Sequence, residues 1–215
     1  MDVQKNRGNR SKSGWTTVAV VACLLGAAFW LWEEVLEYHV IPKRWTAVEP
    51  GAIYRSGQLT ATLVKQTLAR HKIAVIIALN GDAPDNRDQQ AELAAAEELG
   101  IRHMRFPLSG DGTGEIANYA RALEELVRAK RAGEPVLVHC SAGVMRTGGV
   151  IAFYRLLVEK RPASFVMKEF RRHWWDPDDT DILEYINEHI AELAATLQQH
   201  GVIESIPDPL PVLPI

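Results

Sequence analysis

The sequence predicts an α/β domain with a central, mostly parallel sheet flanked by helices, preceded by an N-terminal transmembrane helix. Three observations lead to this prediction. Short apolar runs alternate with longer helical patterns in the middle of the chain, which favours a parallel sheet covered on both faces. An uncharged stretch, Ser13 to Trp32, is long enough as a helix to cross a bilayer. The 215 residues, 47% hydrophobic and 24% charged, suffice for one well-filled domain and an appendage.

The N-terminal segments are predicted from the distribution of charge. Residues 1–12 are basic, residues 13–32 form the transmembrane helix and residues 33–44 link it to the domain. Basic residues precede the uncharged run and acidic residues follow it. The positive-inside rule therefore predicts a single-pass membrane protein with a cytoplasmic N-terminus and its domain outside the cytoplasm. A cleaved signal peptide and a helix buried in the domain are the two alternatives.

The first half of the domain, which begins near Trp45, contains two predicted helix-to-strand steps. In the first, a helix with apolar residues near the 3.6-residue period precedes a short β-branched run. In the second, Asp85 can cap a helix that Gly100 ends, and another strand follows. The predicted elements are a helix at 60–71, a strand at 73–79, a helix at 85–99 and a strand at 101–106.

The second half of the domain brings a third strand to a cysteine. A helix over residues 115–132 ends at Gly133, and Pro135 to Val138 form the strand that leads directly into His139 and Cys140. Residues 147–159, 163–173 and 179–200 are predicted to be helical, which takes the domain to residue 200. The proline-rich tail at 201–215 is expected to be frayed.

Composition argues against several classes of function. The net charge is -3, and the central part of the chain has no block of like charges. The sequence therefore gives no sign of a basic surface that would bind nucleic acid. The two cysteines, Cys23 and Cys140, are too few for a disulfide framework, so Cys140 is expected to act as a thiol. We predict no metal and no other cofactor, because the histidines lack metal-ligand spacing: His71, His103, His173, His189 and His200.

The most informative stretch runs from His139 to Gly148, because it follows a strand and opens a helix. Ligands of open α/β folds bind beyond the carboxyl ends of strands, and a helix N-terminus offers free N–H groups to an anion. Cys140 in that position is expected to be a thiolate, since the helix end and Arg146 both favour the charged form. The planar guanidinium of Arg146 can hold two phosphate oxygens at once, and Gly143 allows a tight turn.

The pattern His-Cys, five residues, Arg, then Ser or Thr resembles the protein tyrosine and dual-specificity cysteine phosphatases. Upstream motifs extend the resemblance over about residues 45–157 and are closest to compact bacterial, fungal and plant-type members: Ile53 to Gln58, Val75 to Leu79, Leu99 to Ile101 and Phe106 to Leu108. The resemblance implies a cysteine-phosphatase fold. It also implies that Cys140 is transiently phosphorylated, that Arg146 binds phosphate, that Thr147 hydrogen-bonds to the leaving sulfur and that His139 orients the loop. The phosphate site would be formed by the remaining loop residues: Ser141, Ala142, Gly143, Val144 and Met145.

A general acid is needed to protonate the leaving oxygen. Asp111 is the best candidate, because it lies in the glycine-rich loop Pro107 to Gly114, where the resemblance places the acid. Glu115 is the second candidate, and a helix-capping role for either carboxylate is the alternative. The stretch Trp175 to Asp178 follows the cysteine and is interpreted as a helix-ending turn. Arg55 either reaches the site or forms a structural ion pair.

The sequence thus predicts a membrane-anchored phosphatase of the tyrosine or dual-specificity type. Its partners would be a phosphorylated protein or a small phosphomonoester, and the membrane through the N-terminal helix. A highly charged inositol phosphate is disfavoured, because Val144 and Met145 stand where enzymes acting on inositol pyrophosphates carry basic residues, and Asn80 replaces a common arginine. Four alternatives stay open: an inactive phosphate-binding module, an inositol or lipid phosphate phosphatase, a rhodanese-type sulfurtransferase and a purely structural membrane protein.

Overall fold

A computed structural model of the chain describes residues 17–26 and 41–215. The chain divides into two compact units, residues 1–41 and 42–215. In the first unit, residues 17–26 are helical. Across the two described ranges, every helix is too short or too polar to span a bilayer. The predicted basic segment at 1–12, both ends of the predicted transmembrane helix at 13–32 and most of the predicted linker at 33–44 lie outside the described residues.

The second unit is built on a five-stranded sheet. Its strands are β1 (Thr46–Glu49), β2 (Ile53–Ser56), β3 (Val75–Ala78), β4 (Arg102–Arg105) and β5 (Val136–His139), in the order β1-β2-β5-β3-β4. Only the edge strand β1 is antiparallel to its neighbour, and the other pairs are parallel. The prediction of a mostly parallel sheet is confirmed. β1 and β2 are absent from the predicted strands, because neither forms a continuous apolar run such as that of β3 or β5.

Six α-helices of the second unit flank the sheet. They are α1 (Val64–Arg70), α2 (Arg87–Leu99), α3 (Ile116–Arg131), α4 (Met145–Phe153), α5 (Ala163–Arg172) and α6 (Asp181–Gln199), and α4 continues as a π-helical turn, Tyr154–Val158. One sheet face, with Ile76 and Leu137, packs on α1 and α2. The other, with Ile77 and Val138, packs on α3 to α6. The inner strands are therefore apolar on both faces, as buried parallel strands are.

The ends of α2 show how local sequence sets helix boundaries. Asn86, not the predicted Asp85, caps the helix, because its Oδ1 accepts hydrogen bonds of 3.0 Å from the N–H groups of both Asp88 and Gln89. Gly100 ends the helix as predicted, with a φ of 67° that favours glycine.

The C-terminal tail, residues 201–215, packs against the domain and is not frayed. Val202, Ile203 and Leu213 are buried. The side chain of Asn187, on α6, accepts a hydrogen bond from Leu213 N–H and donates one to its carbonyl oxygen, both 2.8 Å long. The expectation of fraying was wrong because the tail's apolar side chains contribute to the core despite its prolines.

Candidate active site

Cys140 lies at the carboxyl end of the central strand, directly after β5. In the register of the sheet, His139 is opposite Ser56 of β2 and Ala78 of β3, so two neighbouring strands flank the position where the chain leaves the sheet. The chain then curls through residues 140–144 before α4 begins at Met145. Cys140 is buried, and its Sγ accepts a hydrogen bond of 3.1 Å from Gly143 N–H. We call residues 140–146 the cysteine loop.

The surroundings of Cys140 favour the thiolate. Burial alone raises the pKa of this thiol. That effect is outweighed by contacts with the Thr147 hydroxyl and N–H, by the positive charge of Arg146 and by Gly143 N–H, so the net pKa of Cys140 is lowered. The Thr147 hydroxyl is itself buried and has no other hydrogen-bond partner in the described chain. A lowered pKa increases the fraction of the sulfur in its nucleophilic form.

Gly143 allows the cysteine loop to pack closely on the end of β2. Its φ is 78°, and a Cβ at this position would lie 2.5 Å from Gly57 N and 2.6 Å from the carbonyl carbon of Ser56. Only glycine fits such a site. Behind the loop, the buried Arg55 donates a 3.0 Å hydrogen bond from Nη2 to Gly143 O. Arg55 therefore supports the loop from below, a role that differs from both the substrate contact and the structural ion pair considered from sequence.

Arg146 spans the cysteine loop. Its Nη2 donates a 3.1 Å hydrogen bond to Ser141 Oγ at the other side of the loop. Its Nε is buried and has no hydrogen-bond partner among the described residues. A buried N–H without a partner is costly, so this group is suited to donate to an anion held in the loop. Val144 and Met145, the two residues before Arg146, pack partly against the apolar core and bring no charge to the site.

Asp111 lies in a loop that rests on the start of α4. A Cβ on the neighbouring Gly112 would come within 3.3 Å of the Met145 backbone and 2.7 Å of Ile182 Cδ1. The Tyr119 hydroxyl donates to Gly112 O, which fixes the loop from inside. Burial is the main cause of the raised pKa of the Tyr119 phenol, and the charges of Tyr185, Cys140 and Asp111 add to it.

The Asp111 carboxylate is exposed, and its Oδ1 accepts hydrogen bonds from Thr113 N–H (2.9 Å) and Thr113 Oγ1 (2.8 Å). It forms a local turn and does not cap α3. Glu115 occupies the N-cap position of α3 but makes no side-chain capping hydrogen bond. Neither carboxylate therefore caps the helix. Of the two, Asp111 is next to Gly112, which packs on Met145 of the cysteine loop.

A buried carboxylate behind the site, Glu92 on α2, did not emerge from the sequence. Its Oε1 lies 3.0 Å from His103 Nε2, and its Oε2 lies 3.1 Å from His139 Nε2, the latter in ion-pair and not hydrogen-bond geometry. Burial tends to raise the pKa of Glu92, but His139 and His103 lower it far below its usual range. Burial tends to lower the pKa of His139, and Glu92 more than compensates, so that pKa is raised.

A chain of polar side chains connects Glu92 to Arg146. Gln58 donates to Glu92 Oε2 (2.9 Å), and Asn80 donates to Gln58 Oε1 (3.0 Å). Ser141 then donates to Asn80 Oδ1 (3.2 Å) and accepts from Arg146. Asn80, considered from sequence only as a missing anion contact, thus belongs to the support of the cysteine loop. One signal was available: Glu92 falls on the buried helical stripe of α2 that includes Gln89, Ala95 and Ala96.

The stretch Trp175 to Asp178 forms a turn between α5 and α6, as predicted. Asp179 N–H donates to Asp176 O (3.0 Å), Asp178 N–H donates to Asp176 Oδ1 (3.1 Å), and the indole of the buried Trp175 donates to Asp179 O (2.8 Å). Among residues 17–26 and 41–215, no three histidines, cysteines or carboxylates are grouped closely enough to hold a metal ion.

Comparison with known proteins gives one family match and several structural neighbours. Residues 27–177 match the family model described as a DSP-PTPase phosphatase fused to NAD+ kinase. A stretch of 71 residues is 38% identical to the dual specificity protein phosphatase OPG106 of vaccinia virus. That stretch covers 33% of this chain and only 40% of the viral protein.

Solved structures of other proteins share the fold, among them those of TpbA and of the SIW14 catalytic core. TpbA of P. aeruginosa has a TM-score of 0.56 and 24% identity over 74% of this chain and 98% of its own. The core catalytic domain of the PP-IP phosphatase SIW14 of S. cerevisiae, solved with citrate, has a TM-score of 0.56 and 25% identity over 72% of this chain and 92% of its own. In both comparisons, the covered part of this chain is about the size of the domain that follows the N-terminal segment.

Proposed function

The chain belongs to the DSP-PTPase phosphatase family whose model it matches over residues 27–177, and on this basis we propose that it hydrolyses phosphomonoesters through a phosphocysteine on Cys140. The observation that carries the proposal is the combination of a thiol with a lowered pKa and a buried, unpaired Arg146 N–H in one loop at a helix N-terminus. Such a loop stabilises both a nucleophilic sulfur and a phosphate dianion.

The proposed first step transfers the phosphoryl group to sulfur. The Cys140 thiolate attacks phosphorus, an S–P bond forms, and the bond from phosphorus to the leaving oxygen breaks. Asp111, in its protonated form, gives its proton to that oxygen. Arg146 holds two of the phosphoryl oxygens during the transfer, with loop N–H groups around them.

In the proposed second step, water attacks the phosphorus of the phosphocysteine. Asp111, now a carboxylate, takes a proton from this water. The S–P bond breaks and its electron pair returns to sulfur, where Thr147 and Arg146 stabilise the thiolate. Inorganic phosphate leaves, and the enzyme regains its starting protonation state. His139, held by Glu92 at the end of β5, keeps Cys140 at the floor of the loop.

The test is hydrolysis of an aryl phosphate and a phosphotyrosine peptide by residues 42–215, which form one compact unit. Wild type and Cys140→Ser are compared under reducing conditions without added metal. Turnover by wild type that disappears in Cys140→Ser supports the proposal. A rate that persists in Cys140→Ser contradicts the mechanism, and tight phosphate binding without turnover in wild type favours the inactive phosphate-binding module.

The substrate we propose first is a phosphotyrosine-type or other small phosphomonoester. One of the solved structures of TpbA, 24% identical, is a complex with pTyr. An inositol phosphate is the second candidate, because the likeness to SIW14, a PP-IP phosphatase, reaches 25% identity. Parallel assays with both substrate classes separate the candidates by their kcat/KM.

We also propose, from the sequence alone, that the uncharged run at 13–32 anchors the protein in a membrane with its catalytic domain outside the cytoplasm. Expression of the full chain followed by membrane fractionation and protease treatment of spheroplasts tests this topology. Recovery in the membrane fraction with the domain degraded supports it. A domain protected from protease in intact spheroplasts contradicts the orientation.

A further inference from the structure

A short segment before β1, Pro42 to Trp45, runs along the outer side of the cysteine loop. Gly57 N–H donates a 2.8 Å hydrogen bond to Lys43 O, and Arg44 Nη1 donates a 2.8 Å hydrogen bond to Ala142 O, in the middle of the loop. Arg44 has a φ of 50°, a left-handed conformation that is uncommon outside glycine. Residues 42–44, assigned from sequence to the linker, are therefore attached to the cysteine loop and to the end of β2 by backbone and side-chain contacts.

The Lys43 side chain crosses Gly57 next to the cysteine loop. A Cβ on Gly57 would lie 2.8 Å from Lys43 Cδ and 3.0 Å from Ala142 O, so the lysine stem and the loop occupy the same small region. Lys43 is half-buried, and burial and Arg44 lower its pKa while the negative charge of Cys140 raises it. The net pKa of Lys43 is lowered, and its aliphatic stem lies where the cysteine loop meets the end of β2.

Arg44 is fixed on its other side by an aromatic ring. Its guanidinium carbon lies 5.4 Å from the ring centroid of Trp174, a distance typical of a cation–π contact. Trp174 is 58% exposed and has a φ of 62°. Arg44 is therefore held between the cysteine loop and Trp174, which in turn limits where Lys43 can move.

We propose that Lys43, positioned by Arg44, binds a second anionic group of the substrate, a phosphate or a carboxylate close to the scissile phosphate. The inference rests on the proposed phosphatase function. Arg146 and the loop N–H groups serve the transferred phosphate, and Val144 and Met145 add no charge, so Lys43 supplies the extra positive charge at this wall. A lysine ammonium acts as a point charge toward phosphate or carboxylate, without the bidentate geometry of arginine.

The test uses two matched pairs of substrates with the full chain. One pair is a phosphotyrosine peptide with acidic neighbours and the same peptide with neutral neighbours, and the other is an aryl bisphosphate and the matching aryl monophosphate. We expect wild type to prefer the doubly anionic member of at least one pair by about threefold to fivefold in kcat/KM, the effect of one charge pair that stays open to solvent. The pair that shows the preference identifies the source of the second anion.

Lys43→Met keeps the aliphatic stem over Gly57 and should reduce the ratio of kcat/KM for the two members of the pair to about one. Lys43→Arg should retain most of the preference. Lys160→Met is the matched control, because Lys160 follows the far end of the helical stretch that begins at the cysteine loop and bonds to Ser205. Equal rates on both members of both pairs in wild type would overturn the inference, as would a preference that survives in Lys43→Met.

The two proposals fail in different ways. If no Cys140-dependent turnover of any monoester occurs, the proposed function fails, and the inference is then decided by binding. In that assay, fluorescence anisotropy of the two labelled peptides is measured with Cys140→Ser, alone and combined with Lys43→Met. Tighter binding of the acidic peptide that is lost with Lys43→Met supports the subsite, and equal affinity for the two peptides overturns it.

Discussion

Replacing Glu92 with glutamine should destabilise the domain, with a loss that depends on pH. Glu92 is 1% exposed, and its two oxygens contact His103, His139 and Gln58 at 2.9–3.1 Å. The glutamine keeps the size of the side chain, removes the charge and replaces one of the two acceptor oxygens with an NH2 donor. His139, which is completely buried, then loses the negative partner that raises its pKa.

The magnitude follows from the burial of the pair. Removing one partner of a buried ion pair costs about 3–5 kcal/mol, because the other charge remains without compensation. Glutamine retains one carbonyl oxygen that can accept from a histidine, so we expect the lower end, about 3 kcal/mol. For a domain of this size, that loss corresponds to a decrease in Tm of about 6–12 °C.

The direction of the pH dependence follows from the two shifts. The pKa of Glu92 is lower in the folded state than its ordinary value. Its contribution to the free energy of unfolding is therefore present above the ordinary pKa and is lost only as pH falls through the folded-state pKa. The pKa of His139 is raised above its ordinary value of 6.5 in the folded state. Its contribution to the free energy of unfolding is therefore complete below pH 6.5 and is lost as pH rises through the folded-state pKa. Wild type should therefore exceed Glu92→Gln most between about pH 5 and 6.

Urea unfolding followed by tryptophan fluorescence, at pH 5.5, 7 and 8.5, measures this difference. We expect the gap in the free energy of unfolding to narrow as pH rises. His103→Gln is a control, because it alters the other side of Glu92 and leaves the pair with His139 intact. The free energy of unfolding of this variant should therefore keep most of the pH dependence seen in wild type. A constant gap from pH 5.5 to 8.5, or a variant as stable as wild type, would refute the reasoning.

Four further predictions concern the cysteine loop and the proposed general acid. Asp111→Asn should lower kcat on a phosphotyrosine peptide by about 10²–10⁴-fold while the peptide still binds, and near-normal turnover would show that another group is the acid. Arg146→Lys should lose most of kcat/KM, because the bidentate contact with phosphate disappears. A loss of less than about tenfold on an aryl phosphate would count against the proposed role of Arg146. Gly143→Ala should lose activity and stability together, since its Cβ would lie 2.5 Å from Gly57 N; normal stability in thermal unfolding would contradict the strain. Because the pKa of Cys140 is lowered, alkylation by iodoacetamide should continue below the pH range of an ordinary thiol, and phosphate should protect it; an ordinary thiol profile would contradict the thiolate assignment.

Much of the site was predictable because its key residues are contiguous. His139 to Thr147 lie on one strand-to-helix connection, so the position of Cys140 at the carboxyl end of β5 and before α4 follows from local pattern. The same is true of Gly143, whose φ of 78° suits the tight turn expected of it. Asp111 was found as a carboxylate in a glycine-rich loop, although that loop's contact with Met145 depends on the packing of α3 and α6.

Other parts were not predictable because they depend on contacts between residues distant in sequence. Glu92 lies 47 positions before His139, and Lys43 belongs to a segment with no pattern of its own. β1 and β2 become strands through pairing with each other and with β5 and not through strong local preference. The tail at 201–215 has a composition typical of frayed ends, and only the exposed apolar surface of the helices decides that it packs.

The sequence by itself determined the chemistry of the loop and the class of the fold, because a hydrophobic strand, a cysteine, a glycine turn and an arginine at fixed spacing act through local backbone geometry. Tertiary structure alone decided which side chains support that loop. The connection from Glu92 through Gln58 and Asn80 to Arg146, and the placement of Lys43 beside Ala142, arise where the carboxyl ends of β2, β3 and β5 meet. Such contacts are set by the order and register of the strands, which no local pattern encodes.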